Sequence, residues 1–175
     1  MKSDDVALLP RGPSGPLAIR ALGAAVDWAV VAIGALMVAM VFANVVMHAA
    51  GGDIAWVTEF GEFLMVWVTF LGAASATRRG NHMTITEFID KLDGPKRRLA
   101  DLAVQTIAAA ILGLLLLYGG GIVRSTWSNT LTVLDIPMGA QYLALPVGAA
   151  AMLVFVLFDI LQILRGRSAA ERYGS

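Results

Sequence analysis

Four long stretches of this chain are almost free of polar side chains, and short polar segments separate them. The first, from Trp28 to Met47, has Asn44 as its only strongly polar member, and the second, from Trp56 to Thr77, carries Glu59 and Glu62 near its start. The third, Leu102 to Val123, and the fourth, Ala140 to Phe158, hold no charged residue. An α-helix needs about 20 apolar residues to cross the hydrocarbon core of a bilayer, and each stretch is long enough. The pattern predicts an all-α integral membrane protein with four transmembrane helices at roughly 22–49, 55–78, 99–123 and 139–164. They make up a membrane domain of residues 21–165, between tails of residues 1–20 and 166–175. Pro146 falls within the first two turns of the last helix, where its missing N–H is cheapest but its ring still bends the helix. A cleaved signal peptide is the rival reading of the first stretch, disfavoured by a long apolar run and an acidic lead.

Composition agrees with this picture. With 58% hydrophobic residues and a mean hydropathy of +0.73, the chain is too apolar for a soluble domain. Thirteen basic and thirteen acidic residues cancel, so no net field points to a nucleic-acid partner. Where the charges lie is more telling. Lys2, Arg11 and Arg20 precede the first helix; Arg78, Arg79, Lys91, Lys96, Arg97 and Arg98 fill the second connection; Arg165, Arg167 and Arg172 follow the fourth helix. Twelve of the thirteen basic residues therefore share one side, and only Arg124 joins Asp53 and Asp135 on the other. Lysine and arginine concentrate in cytoplasmic loops, which predicts both termini inside.

The second connection carries a pattern of its own. Thr84 and Glu87 have capping-box spacing, Ile85, Phe88, Ile89 and Leu92 repeat at helical intervals, and Gly94-Pro95 closes the run. This predicts a short amphipathic helix over 84–93 lying in the cytoplasmic interface, against the alternative of an ordinary surface connector. Arg78, Arg79, His82, Lys96, Arg97 and Arg98 around it are candidate anchors to lipid phosphates.

Little in the chain can carry out bond chemistry. There is no cysteine, and the two histidines, His48 and His82, stand at opposite ends of one helical hairpin. No phosphate loop, nucleophile–base pair or metal-ligand set is present, so neither an enzyme nor a cofactor is expected. Ionisable groups inside a membrane mark function when they lie deep. Asp27 and Asp159 stand at the cytoplasmic edges of their runs and read as rim charges that pair or reach water, in preference to a proton relay. Glu59 and Glu62, three residues apart, share a helix face near the outer boundary; partner docking, solvation and ion coupling are their three readings. On the same helix Trp56, Phe60, Phe63, Trp67 and Phe70 form one aromatic stripe, with Thr69, Ala73 and Ala76 to its side. Five large rings exceed what an interfacial belt needs, which makes the stripe a candidate subunit interface. Ala109 and Gly113 in the third helix have small-xxx-small spacing and are expected at an internal helix contact.

One stretch contains Trp56, Glu59, Val66-Trp67, Phe70-Leu71-Gly72-Ala73-Ala74, Arg78-Arg79 and His82. A second contains Ile136-Pro137 followed by Tyr142-Leu143-Ala144-Leu145-Pro146-Val147-Gly148. In these the chain resembles the small membrane subunit of the tripartite ATP-independent periplasmic (TRAP) transporters, over roughly residues 22–165. It departs from that pattern at Thr58, where a second acid is usual, at Glu62, often an arginine, and at Thr86, often an aspartate. Glu62 is then a candidate for a relocated second acid.

The resemblance implies a non-catalytic subunit of the bacterial inner membrane. Its implied partners are membrane lipids, a large multi-helix permease subunit that carries substrate and sodium, and a periplasmic solute-binding protein. Such systems import organic acids, often dicarboxylates, on a sodium gradient, and an immobile small subunit would frame the moving one. The alternatives are a self-contained small carrier or exporter working as a homo-oligomer, and an assembly factor with no transport role. A carrier of this size would be expected to place an acid deep in a helix, and none is there.

Overall fold

In a computed structural model the described residues are 16–52, 54–79 and 95–166, and every regular element among them is helical. The tails before Pro16 and after Gly166, and the 84–93 segment with His82, lie outside the described residues. Helix α1 is Leu17–Ala49, α2 is Ala55–Arg78 and α3 is Pro95–Thr126. A short α4, Met138–Tyr142, leads into α5, Ala144–Leu164. Four spans are long and apolar enough to cross a bilayer, with α4 and α5 together forming the fourth.

Local chemistry explains where these helices begin, break and end. Pro95 opens α3, a first-turn position where the missing N–H leaves no bond unmade. Pro146 has no N–H to give to Tyr142, and the helix is interrupted at Leu143, directly after Tyr142. Regular bonding resumes where Val147 N–H meets the Leu143 carbonyl at 3.1 Å. At the end of α1, Gly51 adopts φ 82°, and the N–H groups of Gly51 and Gly52 bond back to His48 and Met47 at 3.0 and 2.9 Å. This Schellman closure needs a left-handed residue, which glycine supplies without strain.

The helices pack as a row, α1 against α2, α2 against α5, and α5 against α3. The most enclosed member is α5, with eleven buried residues against two in α1. Ala149, Met152, Phe155 and Val156 of α5 form the core with Leu71 and Ala74 of α2, Leu112 of α3 and Val26 of α1. In lipid, apolar surface gains nothing by leaving the solvent, so these contacts depend on close packing. Glycine makes the closest approach possible. A Cβ at Gly148 would lie 2.7 Å from Phe70 Cβ and 3.0 Å from the Phe70 carbonyl oxygen, so α2 and α5 touch through backbone there. Between α3 and α5 the corresponding residue is Gly119, set against Leu145 and Pro146. That corrects the expectation for Ala109 and Gly113: a Cβ at Gly113 would meet open space, and only Ala109 packs on the core.

Candidate functional site

Charged and polar side chains collect at the two ends of the row. At the end of α2, Ser75, Arg78 and Arg79 are placed three and four residues apart, so their side chains converge on α1. All three meet Asp27. The Ser75 hydroxyl donates to its carboxylate at 2.5 Å, Arg78 forms a charge-assisted hydrogen bond with it, and an Arg79 nitrogen lies 3.4 Å away. Gly23, one turn before Asp27, leaves the space that the Arg78 side chain fills. The Arg78 side chain is 13% exposed and that of Arg79 is 40% exposed. Arg78, expected at the lipid surface, is thus chiefly an internal partner of Asp27, while Arg79 keeps a wet flank. Asp159 is buried on α5 near this end.

The same end gathers the start of α3. Arg98 donates to the Leu164 carbonyl at 2.7 Å, satisfying a terminal acceptor of α5. Arg97 is half-buried beside it, and Lys96 lies in the first turn of the same helix. Since α2 and α5 both finish here, they run parallel, with α1 and α3 antiparallel to them.

At the opposite end Glu59 does what its sequence position did not foretell. The backbone N–H groups of Thr132, Val133 and Leu134 donate to its two carboxylate oxygens at 2.6, 2.8 and 2.8 Å. They belong to the connection between α3 and α4, which is folded back on itself. Leu131 N–H bonds to the Ile136 carbonyl at 2.9 Å, and Met138 N–H to the Asn129 carbonyl at 2.7 Å. Asp135 takes φ 52° at the turn. Glu62 is exposed one turn further along.

The aromatic stripe divides in two. Trp56 and Phe60 meet edge to face at 6.2 Å, Phe60 and Phe63 stack at 5.9 Å, and Phe63 and Trp67 are tilted at 6.4 Å. Trp67 packs against the core with its indole Nε1 buried, and Phe70 meets Gly148 of α5. Phe60, Phe63, Trp67 and Phe70 are all half-buried, whereas Trp56 is 44% exposed and borders a hollow with Phe60, Val133 and Leu134. Sequence reasoning missed the Asp27–Arg78 link, although an acid and a base at matching depths on successive helices were visible. It could not have found the Glu59 contacts, because their donors are peptide groups. Among the described residues no three His, Cys, Asp or Glu side chains gather as a metal site would require.

The family model of the DctQ component of the tripartite ATP-independent periplasmic transporters matches residues 37–166. The C4-dicarboxylate TRAP transporter small permease protein DctQ of Rhodobacter capsulatus is 34% identical over 118 residues, 66% of this chain and 50% of that protein. The sialic acid TRAP transporter small permease protein SiaQ of Vibrio cholerae is 26% identical over 118 residues, 66% of this chain and 68% of its own length. The isethionate TRAP transporter permease protein DctMQ of Oleidesulfovibrio alaskensis is 24% identical over 136 residues, 74% of this chain and 21% of that protein. The chain thus spans half the length of the first of these relatives and about a fifth of the last.

Proposed function

The chain belongs to the family of DctQ components of the TRAP transporters, and on that premise we propose that it is the small subunit that scaffolds a larger permease. In this reading the large subunit carries substrate and sodium across the bacterial inner membrane, and a periplasmic binding protein delivers the substrate. The observation that carries the proposal is the distribution of charge within the row. Stretches 28–52, 102–123 and 136–158 are free of Asp, Glu, Lys and Arg, and the second crossing helix, Ala55–Arg78, carries its acids, Glu59 and Glu62, only near its start, so none of the four places an ionisable side chain at mid-depth. A self-contained ion-coupled carrier of this size is expected to place an ionisable group at mid-depth, and these helices carry none there.

The row also leaves faces for a neighbour. Val38, Val41, Phe42 and Val45 of α1 are exposed and line a shallow apolar groove with Met37. Together with the outer rings Trp56, Phe60 and Phe63 of α2, they are the faces we assign to the large subunit. Both termini are taken as cytoplasmic, which makes the Arg78–Arg98 end inner and the Glu59 end outer. Organic acids such as dicarboxylates are the proposed cargo, in keeping with the name of the Rhodobacter capsulatus relative.

Reconstitution tests the reading. The pure chain in vesicles with an inward sodium gradient should take up no organic acid. Together with its large subunit and binding protein it should do so. Uptake by the chain alone would sink the proposal and favour a self-contained carrier.

A further inference from the structure

Helix α2 has an uncovered face turned away from its aromatic stripe. Thr58, Glu62, Met65 and Thr69 recur at intervals of four and three, so they share one side of the helix, and all four are exposed. Gly61 and Gly72 border this side, and a Cβ on either would meet nothing. The exposed side of α3 is different: Ile107, Ile111, Leu114 and Leu117 cover it with large apolar groups, as suits lipid. The α2 face is small and polar instead, the composition that lets another helix approach closely in a membrane.

Glu62 shows that lipid is a poor cover for this face. It lies six residues from the exposed Trp56 and sixteen from Arg78, about 9 Å and 24 Å along the helix axis. Since the hydrocarbon core is about 30 Å thick, the carboxylate falls inside its outer part. Among the described residues Glu62 has no ion pair and no hydrogen bond. Thr69 is satisfied within its own helix, its hydroxyl donating to the Met65 carbonyl at 2.7 Å. An acid at such a depth is stable where a cation meets it, and this chain brings none to it.

We propose that the Thr58–Thr69 face of α2 is covered by a transmembrane helix of the large subunit, and that a basic side chain on that helix pairs with Glu62. The inference rests on the proposed function, which supplies the partner. It adds a charged contact next to the apolar ones, since Glu62 adjoins Phe63 in the chain. The pair also selects the partner, because a large subunit with an acid at that point would be repelled.

The test expresses the chain together with its large subunit and places a photo-crosslinking amino acid at Met65 or, separately, at Phe42. Irradiation of the membranes should join the large subunit to both positions. Crosslinking at Phe42 but not at Met65 would overturn the inference and leave the proposed function standing. Crosslinking at neither position, with no co-purification of the two chains, would overturn the proposed function, and this inference with it. The charge is read separately in detergent. Glu62→Gln should raise the apparent dissociation constant of the two subunits about tenfold, and Glu62→Lys should raise it further by repulsion. Glu62→Asp should recover part of the affinity. Melting of the isolated subunit should be the same in all three variants, because Glu62 has no ion pair or hydrogen bond within the described residues. Affinity unchanged in both Glu62→Gln and Glu62→Lys would overturn the basic partner. The Met65 crosslink, made with Glu62 intact, decides the covered face even if these variants do not assemble.

Discussion

Arg78 and Asp27 join the last turn of α2 to an early turn of α1 through a largely buried ion pair, with Ser75 on the same carboxylate. The space over Gly23 makes the pairing possible, because any larger residue would meet the Arg78 side chain. Asp27→Asn should leave a guanidinium with no counter-charge in a poorly hydrated site. We expect a loss of about 2–3 kcal/mol, toward the low end for a broken buried pair because both side chains keep some water contact. Arg79→Gln should cost under about 1 kcal/mol, as for an exposed pair. Thermal melting of the two variants in detergent checks the order, and equal losses would contradict it.

The contact of Gly148 with Phe70 gives a second prediction. Gly148→Ala places a methyl group against α2 backbone, which cannot turn aside as a side chain would, and should destabilise by about 1–3 kcal/mol. Gly113→Ala meets open space and should leave melting unchanged or slightly raised. The comparison is sharp because both residues sit in membrane-crossing helices and differ only in what surrounds them.

Orientation is open to direct labelling. Single cysteines at Asp53 and Asp135 should react with a membrane-impermeant reagent applied to intact cells, and one at Lys96 should react only after permeabilisation. Labelling of the Lys96 position from outside would reverse the assignment of inner and outer ends.

A fourth prediction separates the core from the proposed contact face. Phe155 is 3% exposed, and Phe155→Ala should lower the melting temperature of the isolated subunit. About 2 kcal/mol is expected, since the cavity cost remains in lipid while the transfer cost largely disappears. Phe42 is 70% exposed on α1, so Phe42→Ala should leave that melting unchanged and weaken co-purification with the large subunit. Undiminished co-purification would exclude this part of α1 from the interface.

The four-helix plan was legible because hydropathy reports directly on the length of chain that must lie in lipid, and each stretch was long and uninterrupted. The break beside Pro146 was legible for the same kind of reason, since a missing N–H acts locally. What hydropathy could not resolve was which small residues meet. Ala109–Gly113 and Gly119 look alike as composition, and only the direction of α3 relative to α5 decides that Gly119 faces Leu145. Phe70 likewise shares a stripe with Trp56, yet Phe70 meets Gly148 of α5 while Trp56, at the other end of the stripe, stays exposed. The Glu59 contacts lay beyond reach altogether, because every residue except proline has the same peptide donor.

The shared direction of α2 and α5 has an electrostatic consequence. Two adjacent parallel helices do not cancel one another's dipoles, so their negative poles lie together where Arg78, Arg79, Arg98 and Arg165 collect. On the proposed orientation, the arginines that would hold this end inside are also counterions of the finished helix pair, Arg98 by direct contact with a terminal carbonyl. Insertion and helix termination thereby draw on the same charges, and neutralising one of these positions should disturb both.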